Sequence, residues 1–438
     1  MTDCDVIIVG AGLAGLVTAI SLKKMGIDSL VLERGDYPGA KNMFGGILFA
    51  AELQDLLGED FRDMPYERVI TSREFAYLSP KDALTLKLYS RQWAEDASCA
   101  YTVHRAAFDR WLADRAEKLG IEIYPQVIVQ DLVFADNRVA GVQVRAEKAG
   151  ELETLHGKIV VIAEGANALL TERAGLRNRA SMMKPENRVL SVKEVIHLGE
   201  QQVNERFGLC AQEGCGIAAF GEPNNYCRGV GFVYTNRDTV SIGLGVLLQD
   251  LMQEETPIYD MLARFKSHPY IAPRIQGGSV REYTAHMIAE DDFFHPPKRF
   301  GNGVLVVGDA AGLVNMSFHM EATNLAIISA RFAAQTIHDA LKTGDCSASA
   351  LRSYEKRLKG SFIHDDLLYS QRFMDLLTVC PEWRRTCPDF FVSALQQFFT
   401  PQNRAKRKII RDIFRRLRKE IGLFRFLRLL FKSRRIFI

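Results

Sequence analysis

The segment that most constrains the fold is residues 5–33, in which a strand, a glycine-rich turn, a helix and a second strand follow one another. Residues 5–9 form a near-continuous β-branched run, which is typical of a parallel strand buried on both faces. Residues 10–15 match the G-x-G-x-x-G pattern, and the helix that follows is predicted to end at Gly26. This order predicts a parallel sheet with helices on its faces, and a turn that binds phosphate at a helix N-terminus.

Each glycine of this turn has its own mechanical role. Gly10 permits the tight turn, Gly12 lets the backbone approach a pyrophosphate, and Gly15 lets the helix pack closely on the strand. The second strand ends at Glu33, 23 residues after Gly10, where a carboxylate can accept hydrogen bonds from an adenosine ribose. Because an acid at this point disfavours a 2′-phosphate, the residues predict FAD or NAD as the ligand.

A second strand-to-helix turn lies further along the chain. Residues 303–307 are an apolar run, and the turn after it contains Gly308, Asp309 and Gly312. A helix is predicted over 324–341, so that a phosphate or a ribityl chain would meet its positive end. Two such turns in one chain favour a single extended ligand that spans both, which fits FAD better than NAD.

The middle of the chain has a different pattern. Strands alternate with turns from about 185 to 300, which predicts an antiparallel substrate domain inserted between two parts of the first domain. We therefore predict an α/β fold with a Rossmann-type FAD-binding domain, an inserted antiparallel-sheet substrate domain and a helical C-terminal region. The predicted divisions are 1–184 and 301–344 for the FAD-binding domain, 185–300 for the inserted domain, 345–402 for a helical region and 403–438 for a basic tail.

The charge is unevenly distributed along the chain. Residues 403–438 hold 14 Lys and Arg and two acids, a local charge of +12, whereas the other 402 residues carry −9. Apolar side chains recur there at helical spacing, which predicts an amphipathic cationic helix with a kink or a second helix after Gly422. This apolar set is Ile410, Ile413, Phe414, Leu417, Ile421 and Phe424.

Three partners for this tail stay open. It can lie on a membrane surface, although the arginine every few positions prevents it from crossing one. It can also pack on the body of the same chain, or dock on an acidic partner. No basic stripe with aromatic stacking residues occurs elsewhere in the sequence, so we expect no nucleic-acid partner.

Several classes of protein are disfavoured by composition. The eight cysteines are scattered without a C-x-x-C pair or a metal-type cluster, so zinc-ribbon and iron–sulfur sites are disfavoured and no metal is expected. The first residues run directly into a strand, without the pattern of a signal peptide. We expect a cytoplasmic protein with reduced thiols, with peripheral contact to the inner face of the cell membrane as the open alternative.

The combined motifs resemble FAD-dependent oxidoreductases of the p-hydroxybenzoate hydroxylase-like superfamily. Within it they resemble the FixC group, the flavoprotein subunits of electron-transfer flavoprotein:quinone oxidoreductases, over about residues 1–400. The motifs that carry this resemblance are the helix start at Arg105 and residues 41–46, 231–236, 241–245, 282–286 and 308–315.

This chain departs from the pattern of the group in three ways. Met320 and Ala322 stand where an arginine and a glycine are common, and Ile47 stands where another arginine is common. The four-cysteine cluster domain of the long mitochondrial-type relatives is replaced by the basic tail. These changes keep flavin binding and leave the electron acceptor open.

The resemblance implies FAD as the cofactor, electron-transfer flavoprotein subunits as the donor, and a quinone or a separate ferredoxin-like subunit as the acceptor, with the inserted domain on the quinone side. It leaves the catalytic residues unknown. The candidates are His286, His319 and Glu321, and a structural role is equally open for the two histidines. The implied cofactor contacts are Gly10, Gly12, Leu13, Ala14, Gly15, Glu33, Arg34, Lys41, Gly45, Gly46, Arg105, Val129, Gly308, Asp309 and Gly312.

Two other functions remain as alternatives. Geranylgeranyl reductases, which reduce lipid double bonds, have a similar turn at 308–312, but residues 283–286 fit the FixC pattern better. Flavin monooxygenases commonly place a histidine and a proline after this turn. Here Gly312 and a proline-free stretch through Asn324 replace them.

Overall fold

The computed structural model describes residues 3–40, 46–95, 100–146, 150–178, 180, 184–290, 293–315, 317 and 320–434. Most of its strands belong to one of two large sheets, and helices cover the first of these. The described strands are β1 (Cys4–Val9), β2 (Ser29–Leu32), β3 (Ile47–Phe49), β4 (Arg68–Leu78), β5 (Ala83–Tyr89), β6 (Ala100–Thr102), β7 (Glu122–Tyr124), β8 (Val127–Ala135), β9 (Arg138–Ala146), β10 (Leu152–Ile162), β11 (Arg188–His197), β12 (Glu213–Gly221), β13 (Gly229–Thr235), β14 (Thr239–Leu247), β15 (Ser279–Ala289), β16 (Phe300–Gly301) and β17 (Val304–Val306).

The helices are concentrated in the last third of the chain. The described α-helices are α1 (Leu13–Lys24), α2 (Ala51–Leu57), α3 (Gln92–Glu95), α4 (Arg105–Lys118), α5 (Leu169–Arg173), α6 (Glu200–Phe207), α7 (Leu248–Leu251), α8 (Ile258–Ser267), α9 (Ala272–Ile275), α10 (Thr323–Thr343), α11 (Ala348–Leu351), α12 (Ser353–Lys359), α13 (Phe362–Val379), α14 (Thr386–Phe399), α15 (Lys406–Glu420) and α16 (Leu423–Ser433). Short 3₁₀ turns lie at Gly58–Asp63, Gly165–Asn167, Pro185–Asn187, Glu222–Asn224, Gly308–Ala311 and Pro381–Trp383.

The first sheet has the order β16-β17-β10-β1-β2-β7, with β8 and β9 attached beside β10. Strand β1 pairs in parallel with both β2 and β10, and Val6, Ile7 and Ile8 are fully buried, as expected of a strand covered on both faces. Helix α1 begins at Leu13, directly after Gly12 and within the glycine-rich segment 10–15, and ends two residues before Gly26. The predicted α/β fold with a Rossmann-type sheet is thus confirmed.

The second sheet has the order β15-β11-β14-β13-β12-β4-β6-β3, with β5 on the outer side of β4. Its last five strands in the chain, β11–β15, lie inside the predicted insertion at 185–300. Strands β3–β6 come from residues 47–102, and β4 pairs in parallel with β12. The sheet therefore draws on two separate segments of the chain and is mixed rather than purely antiparallel, which differs from the predicted division at residue 185.

The C-terminal region is helical, as predicted. A small apolar core joins its helices, and the members of this core are Cys380, Cys387, Phe390, Ala394, Ile421 and Leu429. The tail forms two helices, α15 and α16, separated at Gly422, which has a φ of +82°. This left-handed conformation favours glycine and confirms the predicted break. Among the described helices, none has an apolar stretch of the length needed to span a bilayer.

We expect replacement of Gly15 by alanine to destabilise the first sheet. A Cβ at this position would lie 1.9 Å from the carbonyl oxygen of Gly10, so the helix and the turn would have to separate. The free energy of unfolding should fall by about 3 kcal/mol. Urea unfolding measures this change, with Gly216→Ala as the control, because its Cβ would meet only ordinary contacts at 3.5 Å and 3.8 Å. Equal stability of the two variants would contradict the close packing at Gly15.

Candidate functional site

A cavity of about 530 Å³ lies where the carboxyl ends of the parallel strands meet one face of the second sheet. Most of the residues singled out from the sequence line this cavity, although they come from distant parts of the chain. Those that line it are Gly10, Gly12, Leu13, Ala14, Glu33, Arg34, Gly46, Arg105, Val129, Gly308, Asp309, His286 and Glu321.

Two of the residues singled out lie elsewhere, and three more fall outside the described residues. Gly15 is buried behind the turn, where it packs on Gly10. Gly312 lines a smaller neighbouring cavity beside helices α12 and α13. Lys41, Gly45 and His319 lie outside the described residues.

The first turn brings the backbone of β1 close to that of β10. Gly10 has a φ of +107°, and its N–H donates to the carbonyl oxygen of Leu32 at 2.7 Å. A Cβ on Gly10 would lie 2.5 Å from the carbonyl oxygen of Ala163, just after β10. Position 10 therefore requires glycine for two reasons. Its φ is left-handed, and there is no space for a Cβ.

Glu33 organises the same turn. Its carboxylate accepts the N–H of Ala11 at 2.9 Å through Oε2 and the N–H of Gly35 at 2.6 Å through Oε1. The side chain is nearly buried, so these two bonds hold it at the cavity wall. Each carboxylate oxygen has a second lone pair, which leaves Glu33 able to accept from a ribose hydroxyl as well.

The second turn lies directly beside the first. Gly308 has a φ of +64°, and a Cβ there would lie 3.0 Å from Cβ of Ala14 in α1 and 3.7 Å from Cβ of Ala326 in α10. The N-terminal ends of helices α1 and α10 therefore flank Gly308 and line the same cavity. Two positive helix ends facing one space can stabilise negative charge at two points of a single long ligand.

Charged side chains surround the inner part of the cavity. Arg105 Nε and Nη2 donate to the two carboxylate oxygens of Asp109 at 3.1 Å and 3.0 Å, which fixes the guanidinium at the wall. Burial raises the pKa of Asp309, and the nearby positive charge of Arg105 opposes this shift. Burial lowers the pKa of His286, so its imidazole is neutral at pH 7.

The opposite wall is one face of the second sheet. Gly216 pairs with Tyr234, and Ala218 pairs with Phe232, so these side chains point to the same face. The Phe232 and Tyr234 rings stack with centroids 6.1 Å apart. Thr284 lies on this wall, and its buried Oγ1 has no hydrogen-bond partner among the described residues. The wall is thus largely apolar, with a hydroxyl available to a ligand.

Three lining residues occupy positions where the chain departs from the FixC pattern. Ile47, Met320 and Ala322 all line the cavity, close to the N-terminus of α10. Met320 has a φ of +50°, an uncommon conformation for a side chain of this type. These three differences from the group therefore lie at the cavity, whereas the basic tail, the remaining difference, does not line it.

Sequence reasoning missed one part of the wall. The segment after β10 lines the cavity with Ala163, Glu164, Gly165 and Asn167. Glu164 accepts the N–H groups of Leu170 and Thr171, and so caps α5. One feature of the sequence does indicate this segment: it follows a buried parallel strand. Ligands bind at the carboxyl ends of such strands in an open α/β sheet.

The raised pKa of Asp309 predicts how the stability of the cofactor-free protein depends on pH. The ordinary pKa of this carboxyl is 3.8, and in the folded protein Asp309 keeps its proton to a higher pH than in the unfolded chain. The free energy of unfolding therefore falls as the pH rises above 3.8. Asp309→Asn removes this loss. The variant should exceed the wild type in free energy of unfolding by more at pH 8 than near pH 3.8, as measured by urea unfolding. A difference independent of pH would contradict the burial of this carboxyl.

Comparisons with known proteins agree with this geometry. Residues 5–216 match the family model described as FAD dependent oxidoreductase. The probable electron transfer flavoprotein-quinone oxidoreductase YdiS of Escherichia coli (strain K12) is 35% identical over 425 residues, 97% of this chain and 96% of that protein. Protein FixC of Bradyrhizobium diazoefficiens is 37% identical over 397 residues, 90% of this chain and 89% of that protein.

A solved structure shares the fold. The geranylgeranyl bacteriochlorophyll reductase-like protein of Thermoplasma acidophilum superimposes with a TM-score of 0.73 over 95% of this chain and 98% of that chain. At 19% sequence identity, this likeness concerns the fold alone. The relatives at 35% and 37% identity span nearly the whole chain and carry the assignment. FAD is the cofactor, and the chain belongs to the FixC group of FAD-dependent oxidoreductases.

Proposed function

We propose that this protein passes electrons from a reduced electron-transfer flavoprotein to a quinone. The observation that supports this most is the unlike character of the two sides of the cavity. One side presents two glycine turns and two helix N-termini, which suit a dinucleotide. The other presents the aromatic sheet face of Phe232 and Tyr234, which suits an apolar ring compound.

The residues proposed to hold FAD divide along its length. Gly10, Gly12 and the first turn of α1 would bind the pyrophosphate, and Glu33 and Arg34 the adenosine end, with Val129 against the adenine. Asp309 would accept from ribityl hydroxyls, and Arg105 would reach the ribityl and phosphate region. Bound FAD supplies the chemistry of accepting electrons from one partner and passing them to another.

The chain's own contribution is binding, orientation and proton supply. The N-terminus of α10 at the cavity favours negative charge beside it. A quinone that takes up two electrons also takes up two protons, and His286 and Glu321 are titratable side chains on the wall. Neutral His286 can release its ring N–H proton to an oxygen of the reduced quinone while its other ring nitrogen takes a replacement proton from a solvent acid.

The proposal includes separate protein partners. Electron-transfer flavoprotein subunits would bring the electrons to the cavity. Among the residues that the structure describes, no group of three or more His, Cys, Asp or Glu is placed to hold a metal. Any iron–sulfur step would then belong to a separate ferredoxin-like subunit.

We expect Gly12→Val to prevent the backbone from approaching the pyrophosphate. Gly12 ends the first turn, immediately before α1, and lines the cavity. FAD affinity should fall by at least about tenfold, which corresponds to about 1.4 kcal/mol. Absorbance of bound flavin in the purified protein measures this, with Gly12→Ala expected to lose less than Gly12→Val. Full occupancy in Gly12→Val would contradict the assignment of the turn.

We expect rapid transfer to need both partners. In anaerobic rapid mixing, reduced electron-transfer flavoprotein should bleach the flavin absorbance of this protein, and a soluble quinone analogue should restore it. NADH alone should bleach it slowly. Rapid bleaching by NADH alone would contradict the proposed donor, and restoration by oxygen or by a polyprenyl lipid in preference to the quinone would favour the two alternatives.

The aromatic wall makes a separate prediction about the quinone. Phe232→Ala removes a ring that stacks on Tyr234 and should raise the quinone concentration for half-maximal restoration about tenfold. FAD occupancy is measured in the same samples. Tyr259→Ala, on an exposed face of α8, is the matched control. Identical quinone dependence in both variants would contradict quinone binding at this wall.

A further inference from the structure

Arg73 of β4 is a charged side chain near the cavity that the proposed function does not use. It is partly buried, and its guanidinium carbon lies 5.4 Å from the centroid of the Phe49 ring. The guanidinium forms no hydrogen bond or ion pair with the residues that the structure describes. Arg68, on the same strand, instead donates to four acceptors at 2.6 Å to 2.8 Å. The N–H groups of Arg73 therefore lack a protein acceptor in the described part of the chain and can donate to a ligand.

The register of the second sheet places Arg73 next to the apolar wall of the cavity. Tyr234 of β13 pairs with Gly216 of β12, and Gly216 pairs with Arg73, so all three residues share one face. Arg73 pairs in turn with Leu88 of β5, which is 55% exposed. Arg73 thus lies between the wall formed by Phe232 and Tyr234 and the outer edge of the sheet.

Gly216 leaves room for two side chains above this part of the sheet. A Cβ on Gly216 would lie 3.8 Å from Cδ of Arg73 and 3.5 Å from Cδ1 of Ile47. Ile47 lines the cavity, and Phe49 points to the same side of β3 because it lies two residues further along. The aliphatic part of Arg73 therefore packs beside a residue of the cavity wall, and its guanidinium reaches the Phe49 ring.

Glu321 carries a negative charge close to this guanidinium. It lines the cavity two residues before α10, and its carboxylate accepts from Nδ2 of Asn324 at 2.9 Å. Burial lowers the pKa of Arg73, and the charge of Glu321 opposes this shift. The two charges interact without forming an ion pair, so Glu321 does not take up the N–H groups of Arg73.

Arg73 also lies beside a position at which this chain departs from the FixC pattern. Ile47 stands where an arginine is common, and the Ile47 and Arg73 side chains meet above Gly216. Met320, at the second position that lacks an arginine, lines the same cavity. Arg73 thus supplies a positive charge to a part of the molecule from which two arginines of the pattern are absent.

We propose that Arg73 selects the electron acceptor: its guanidinium donates to a ring oxygen of a quinone that lies on the apolar wall of Phe232 and Tyr234. An aromatic wall with a guanidinium at its edge suits a flat ring that carries oxygen on its rim. As electrons reach the quinone, negative charge develops on that oxygen, and the guanidinium stabilises it. The site therefore favours acceptors whose ring oxygen is negatively charged. This selection rests on the proposed quinone function.

Calorimetric titration of the oxidised, FAD-loaded full chain tests the proposal without an electron donor. The two probes are unsubstituted naphthoquinone, which is neutral, and lawsone, a hydroxynaphthoquinone that is an anion at pH 7. The wild type should bind lawsone more tightly than naphthoquinone. Arg73→Met should weaken lawsone binding at least about tenfold, as expected for the loss of a charge-assisted hydrogen bond, and naphthoquinone binding less than about threefold.

Two further variants serve as comparisons. Arg73→Lys keeps the positive charge without the planar guanidinium, and should retain part of the preference for lawsone. Arg62→Met is the matched control, because the Arg62 side chain is 76% exposed and does not line the cavity. It should bind both compounds as the wild type does. The flavin absorbance of each variant reports whether it has folded, so a folding defect is distinguishable from lost binding.

Equal binding of lawsone by the wild type and Arg73→Met would overturn the proposal. An equal loss for both compounds in Arg73→Met would also overturn it, because that result indicates a packing role alone. In either case the wild type still binds a quinone, and the proposed function stands. If neither compound binds to the wild type, quinone binding at this cavity fails, and the role of Arg73 fails with it.

Discussion

The close approach of helices α1 and α10 at Gly308 is the constraint on which the rest of the site depends. A Cβ at Gly308 would lie 3.0 Å from Cβ of Ala14 and 3.7 Å from Cβ of Ala326, so small residues on three separate segments must meet at one point. This contact brings the two helix N-termini to one cavity, where both can stabilise the negative charge of one cofactor. A larger residue at Gly308 would have to displace Ala14, and with it the first turn of α1.

The parts of the fold that depend on local sequence were predictable. The turn at residues 10–15, the strands around it and the break at Gly422 follow from glycine conformations and from patterns within about 30 residues. The pairing of β4 with β12 joins residues more than 140 positions apart, and no local pattern determines it. For this reason the second sheet includes residues 47–102, which the predicted domain division assigned to the first domain.

The site was predictable to the extent that motifs carried it. Gly10, Gly12, Gly308, Glu33 and Arg105 come together at one cavity, and their contacts with FAD stay a prediction. The contribution of Ala163 and Glu164 follows only from the strand order, because β10 lies next to β1. The tail shows the same limit. Its charge and periodicity predicted an amphipathic helix, but only the packing separates the buried Ile421 from the exposed Phe424, two members of the predicted apolar set.

The central claim is that one FAD molecule spans both turns, with its adenosine end at Glu33 and its ribityl end at Asp309. Calorimetric titration of the cofactor-free protein with FAD and with ADP, the adenosine half of FAD, tests this directly. Asp309→Asn should weaken FAD binding about tenfold, as expected for the loss of a hydrogen bond to a charged group, and should leave ADP binding unchanged. Equal weakening of ADP and FAD, or unchanged binding of FAD, would contradict the claim.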